Sequence, residues 1–243
     1  MLKLLFLLFS GVKFGKLLTS GGTMIISVVF YAWIFGWWYA VGFVLLMFVH
    51  EMGHYIAARQ RGLNVGLPTF IPFLGAWIEL KDMPHDAETE AYVGLGGPLA
   101  GTVASILCYF LARNYNSDLL MAVSYSGFFL NLFNMIPLSP FVGGRITAVL
   151  TPRIWFVGVP VLLALFYYRP SPMLIIIGFL AWPQLWRAWK YDPEAEENKA
   201  YYNMSTQVRF TYAAYYLILL GFLAVMTNDV HEMVQAARQV KGI

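Results

Sequence analysis

VGFVLLMFVHEMGHYIAARQR, residues 41–61, decides how this chain is read. The run is apolar up to Val49. It then carries His50, Glu51 and His54 without losing its apolar character, and it closes on Arg59 and Arg61. A helix that crosses a bilayer needs about 20 mostly apolar residues, and residues 38–58 meet that length. Positions i and i+4 of a helix lie on one face. His50-Glu51-Met52-Gly53-His54 is therefore an HExxH pattern that turns two imidazoles toward one point, where a single zinc ion fits, with Glu51 beside it as general base. Ionisable groups inside a membrane segment are costly and mark function by default. The competing reading is a pair of interfacial histidines with no metal.

Composition supports the membrane setting. Of 243 residues 59% are hydrophobic and 12% charged, against about a quarter charged in soluble domains. Aromatics reach 17%, as expected where rings anchor at both water interfaces. The net charge of +3 does not point to nucleic acid, because Lys and Arg sit at the ends of apolar runs rather than in a patch. The single cysteine, Cys108, excludes a disulfide framework.

Outward from the motif, the pattern predicts an all-α polytopic membrane protein of about six to seven spans, forming one membrane domain over 1–243. Residues 2–10 read as a short interfacial or partly inserted helix. Spans are expected at 23–35, 38–58, 91–111, 119–136, 155–168, 172–186 and 210–226. Residues 62–90 hold Gly62, Gly66, Pro68, Pro72, Gly75 and Pro84 between apolar pieces. They are too broken for a helix and too apolar for a free loop, so a re-entrant or β-hairpin segment is expected. Residues 190–203 read as a solvated acidic loop, and the tail from Asn228 as a short amphipathic helix. With the N-terminus in the cytoplasm and the spans alternating, only Arg113, Arg169, Arg238 and Lys241 fall outside. That bias fits the positive-inside rule.

A catalytic zinc takes three protein ligands and a water. Beyond His50 and His54 the chain offers His85, His231, Glu79, Asp82 and Asp86. For each of these an interfacial or solvated role is the simpler reading, so residue chemistry alone leaves the third ligand unassigned.

The chain resembles the site-2 protease family of intramembrane zinc metalloproteases. Those enzymes pair HExxH with a distant Asn-x-x-Pro-x-x-Pro-Leu-Asp-Gly segment. Here Asn134-Met135-Ile136-Pro137-Leu138-Ser139-Pro140-Phe141-Val142-Gly143 keeps Asn134, Pro137, Pro140 and Gly143 in register. Gly94–Gly101, with Gly97-Pro98, resembles the start of the family's middle core helix. The resemblance covers about residues 38–150, leaving 151–243 as additional spans and tail.

The resemblance implies a Zn2+ held by His50 and His54, Glu51 as catalytic base, and Asn134 binding substrate. It also implies a transmembrane protein substrate within the lipid bilayer, and a multi-pass chain in the plasma membrane with its site toward the cytoplasm. The segment 69–80 would offer a strand edge to an unwound substrate, or else pack as a hairpin plug.

One position departs from the family. Val142 stands where its liganding Asp is expected, and valine has no donor atom. Three readings follow: a carboxylate from elsewhere completes the site, the chain is a variant with weakened or absent metal binding, or it is a pseudoprotease that binds membrane substrates without cutting them. A transporter using the histidines as a relay would show repeated halves with matching broken helices. None is legible.

Overall fold

The computed structural model describes residues 20–72 and 75–241. The expected interfacial helix at 2–10 lies outside them. Helix α1 spans Ser20–Phe35 and α2 spans Trp37–Gln60. Gly36 joins them at φ 87°, a left-handed backbone that glycine adopts without a Cβ penalty. Strands β1 (Thr69–Ile71) and β2 (Gly75–Trp77) then form an antiparallel hairpin with Phe70 opposite Ala76. Helix α3 runs over Ala87–Asn114 and α4 over Asp118–Asn134. A short α5, Val142–Thr147, is followed by a 3-10 turn at Pro152–Val157, α6 (Gly158–Tyr168), α7 (Pro172–Trp189), α8 (Glu196–Tyr201) and α9 (Thr206–Lys241).

Backbone-to-backbone contact holds the centre. A Cβ on Gly53 of α2 would lie 2.2 Å from the Gly96 carbonyl oxygen of α3, and one on Gly96 would lie 2.5 Å from the Gly53 oxygen. Without a water-driven force between helices in lipid, small residues allow the close packing that associates them. Helix α4 docks on α3 in the same way, because a Cβ on Gly127 would meet the Ser105 hydroxyl at 2.2 Å. Helix α9 closes the far side, where Tyr212, Tyr216, Leu219 and Leu223 are buried with Phe128, Met135 and Ile146.

The outer faces are apolar. Trp33, Phe110, Leu163, Phe179 and Ile218 are among the large apolar side chains that stand exposed. In water such a surface marks an interaction site or an aggregation liability; in a bilayer it is the required one. Among the described residues three helices are long and apolar enough to cross a membrane: Trp37–Gln60, Ala87–Asn114 and Thr206–Gln239. Ser20–Phe35 and Pro152–Tyr168 are apolar but shorter. The chain is a membrane protein, mostly helical with one small two-stranded sheet.

Among the differences from the sequence expectation, three have a local cause. Helix α3 starts at Ala87 rather than 91, because the Asp86 side chain caps it by accepting from the Thr89 N–H at 2.7 Å. The span at 210–226 and the tail from Asn228 are one continuous helix, α9. Polar residues change what a helix faces but do not stop it unless they bring glycine or proline, and Asn228 donates one turn ahead to Glu232 at 3.0 Å. The loop at 190–203 contains α8, and α8 is not simply solvated. Its Tyr201 hydroxyl donates to Glu90 of α3 at 2.7 Å.

A valine at Gly53 should destabilise the fold by about 1–3 kcal/mol or more, since backbone must move. Valine at Gly178, where an added Cβ meets nothing within 4 Å, should be tolerated. Denaturant melts of the detergent-solubilised protein check both.

Candidate metal centre

His50, Glu51 and His54 lie in the second half of α2 and are buried, with exposures of 3%, 7% and 4%. Their helical spacing brings the His50 and His54 rings to a centroid distance of 4.9 Å. Helix α3 shapes the space for His54. A Cβ on Gly97 would fall 2.2 Å from the His54 Nε2 atom, so the imidazole occupies the volume that glycine leaves free.

The partners of the two rings fix where their protons sit. His54 Nδ1 lies 2.7 Å from the Val93 carbonyl oxygen. A carbonyl only accepts, so Nδ1 carries the proton. The Gly97 N–H also approaches Nδ1, at 3.3 Å, but the shorter carbonyl contact decides. His50 Nδ1 lies 2.8 Å from Asn131 Oδ1, and the Asn131 amide is oriented because its Nδ2 donates to the Gly127 carbonyl at 2.7 Å. His50 is therefore also protonated on Nδ1. Both Nε2 atoms are left bare, 3.1 Å apart. Two lone pairs facing each other across that gap repel unless a cation lies near both.

The donor set fits zinc in part. Nitrogen ligands at about 2.0–2.1 Å around a tetrahedral ion stand roughly 3.3 Å apart, close to the observed separation. Nδ1 bonds to a carbonyl and an amide oxygen are the outer contacts that metal-ligating histidines make. No third donor joins them. Among the described residues no group of three or more His, Cys, Asp and Glu side chains is placed to hold an ion. Val142, the first residue of α5, lines the cavity with its methyl groups.

That cavity measures about 190 Å³. His50, Glu51 and His54 form one wall. The hairpin residues Gly75–Ile78 form a second, and Asn134, Val142 and Arg145 contribute a third. Ile78 and Arg145 line the cavity together with Glu51. Arg145 Nε is turned toward Glu90 at 3.4 Å, and Glu90 in turn accepts from Tyr201. Burial, with the Glu90 carboxylate next in effect, holds the Tyr201 phenol above the usual tyrosine range. It remains a donor to Glu90 at any physiological pH.

The other residues weighed from sequence stand apart from the histidines. Asn134 lines the cavity, but its Nδ2 donates to Leu130 O of its own helix at 3.0 Å. His85 and Glu79 are exposed, Asp82 accepts from Asn64, and Asp86 is a helix cap. His231 is exposed, with its ring 5.2 Å from that of Tyr125. Asn131, Arg145 and Tyr201 were not singled out for the site. Asn131 had a signal: it is an amide within the apolar run Phe128–Leu132, and polar groups at such depth are functional by default. The link from Tyr201 to Glu90 crosses 111 positions of sequence and has no local signature.

Residues 38–118 match Peptidase family M50. That match covers about a third of the chain. The chain is 33% identical over 116 residues to a zinc metalloprotease of Methanocaldococcus jannaschii, MJ0392, a match covering 44% of this chain and 33% of that protein. It is 32% identical over 72 residues to the chloroplastic EGY1 protein of Arabidopsis thaliana, named a probable zinc metalloprotease, covering 28% of this chain and 13% of the relative. The match thus spans a third or less of these relatives' length. A solved site-2 protease from Methanocaldococcus jannaschii overlays at a TM-score of 0.46 and 21% identity, covering 71% of this chain and 88% of that one. At that score the overlay decides nothing further.

Gly97→Ala should drive the His54 ring from its place and lower zinc affinity by about 10-fold or more. Competition with a chromophoric chelator measures this.

Proposed function

We propose that this chain is an intramembrane zinc metalloprotease that hydrolyses a peptide bond within or beside a transmembrane segment of a membrane-protein substrate. One observation carries the reading: two bare Nε2 atoms stand 3.1 Å apart beside a buried Glu51, in a cavity walled by a helix long and apolar enough to cross a membrane. The zinc chemistry named for the relatives supports it.

His50 and His54 would hold the ion, which supplies Lewis acidity and a water whose pKa falls to about 7. Glu51 would take a proton from the attacking water and return it to the leaving amine. Arg145, with no hydrogen bond from its terminal nitrogens among the described residues, offers N–H donors to a substrate carbonyl in the cavity. A helical substrate must unwind to expose a peptide bond. The Gly75–Trp77 strand, lining the cavity, offers main-chain groups to an extended segment. Asn134 lies in the same wall and binds the substrate backbone through its free amide oxygen. The shorter apolar helices complete a multi-pass domain of six to seven spans in the plasma membrane, with the site toward the cytoplasm as the basic residues indicate.

Val142 favours a second reading. It lines the cavity at the position where the resemblance expects a liganding carboxylate, and no group of three or more His, Cys, Asp and Glu side chains is placed to hold an ion among the described residues. On that reading the chain is a catalytically impaired relative that binds membrane substrates without cutting them.

The two readings separate in proteoliposomes carrying a model transmembrane substrate. For the protease, Glu51→Gln should lower cleavage by about 10²–10⁴-fold, and Val142→Asp should raise both zinc affinity and rate. An impaired relative shows no cleavage in the parent, together with retained substrate capture.

A further inference from the structure

We propose that Asn131 is a positioning residue, holding His50 in the tautomer whose Nε2 lone pair meets that of His54. The inference deepens the metal-centre reading and rests on it for its consequence, though not for its geometry.

Asn131 is 1% exposed and its amide is clamped from two helices. From α4, the Gly127 carbonyl accepts from Nδ2 at 2.7 Å. From α3, Gly101 presses on the other end, because a Cβ there would lie 2.4 Å from Oδ1. The Gly127 contact excludes the flipped amide, which would set Oδ1 against a carbonyl oxygen. Oδ1 is thereby held 2.8 Å from His50 Nδ1 and accepts its proton. Asn134, one turn later, spends its amide on Leu130 of its own helix and does not reach the ring.

An apolar residue at 131 would do more than remove a bond. A buried donor without a partner is costly, so the His50 proton would move to Nε2. There it would donate across the 3.1 Å gap to the bare His54 Nε2. That hydrogen bond would close the space where a cation is gripped. Val93 performs the same service for His54 with a main-chain oxygen, which leaves Asn131 as the side chain through which the pair is set.

The test uses the full chain in detergent, with 15N-histidine NMR on zinc-free protein and zinc titrated against a chelator. The parent should show His50 protonated on Nδ1. Asn131→Leu should shift it toward Nε2 and lower zinc affinity by about 10–100-fold. Asn131→Asp, which keeps an acceptor toward His50 and, when protonated, a donor toward the Gly127 carbonyl, should retain the Nδ1 tautomer and most of the affinity. Gly101→Ala, which displaces the amide without deleting it, should reproduce the tautomer shift if the leucine variant does not fold. An unchanged His50 tautomer in Asn131→Leu and Gly101→Ala overturns the proposal, as does equal loss of affinity in the leucine and aspartate variants. If the parent takes up no zinc, the metal-centre reading fails alone, and the tautomer measurement still decides the role of Asn131.

Discussion

Gly53 and Gly96 touch backbone to backbone, and the site depends on that contact. It sets the distance between α2 and α3, and every other feature of the centre inherits it. Because α3 lies so close, Val93 O reaches His54 Nδ1 and Gly97 leaves room for the ring. Helix α4 is drawn in on the next small residues, Gly101 and Gly127, and brings Asn131 to His50. A single larger side chain at the crossing would move all of these donors and acceptors together. In lipid an imidazole with a lost partner finds no water to replace it.

The polar residues of the site form a connected set rather than isolated groups. From the outer end, Tyr201 of α8 holds Glu90, Glu90 faces Arg145, and Arg145 lines the cavity beside Glu51. The segment beyond residue 150, which carries no family signature, is thus joined to the core by hydrogen bonds. Tyr216 of α9 adds a second tie, donating to the Met135 carbonyl at 2.6 Å where α4 breaks. Burying polar groups at such depth is affordable only when each is satisfied, and most of these are.

Much of the architecture was legible in the sequence because membrane helices announce themselves by length and hydropathy. The motif helix was placed within two residues at either end, and the glycine- and proline-broken stretch, read as a re-entrant or hairpin segment, contains a hairpin. The failures share a cause. Capping by Asp86 and the passage of α9 through Asn228 are decided by local hydrogen bonds, which hydropathy does not see. The docking of α8 is decided by a contact across 111 positions.

By itself the sequence determined the chemistry on offer: two imidazoles on one helical face with a carboxylate beside them, set in an apolar run. Helical periodicity dictates that much, since i and i+4 must share a face whatever surrounds them. Only the tertiary structure decided the protonation of those imidazoles and the absence of a described replacement for the missing ligand. Those outcomes depend on which carbonyl, amide and methyl groups other helices bring within 3 Å or so, and sequence spacing carries no record of them.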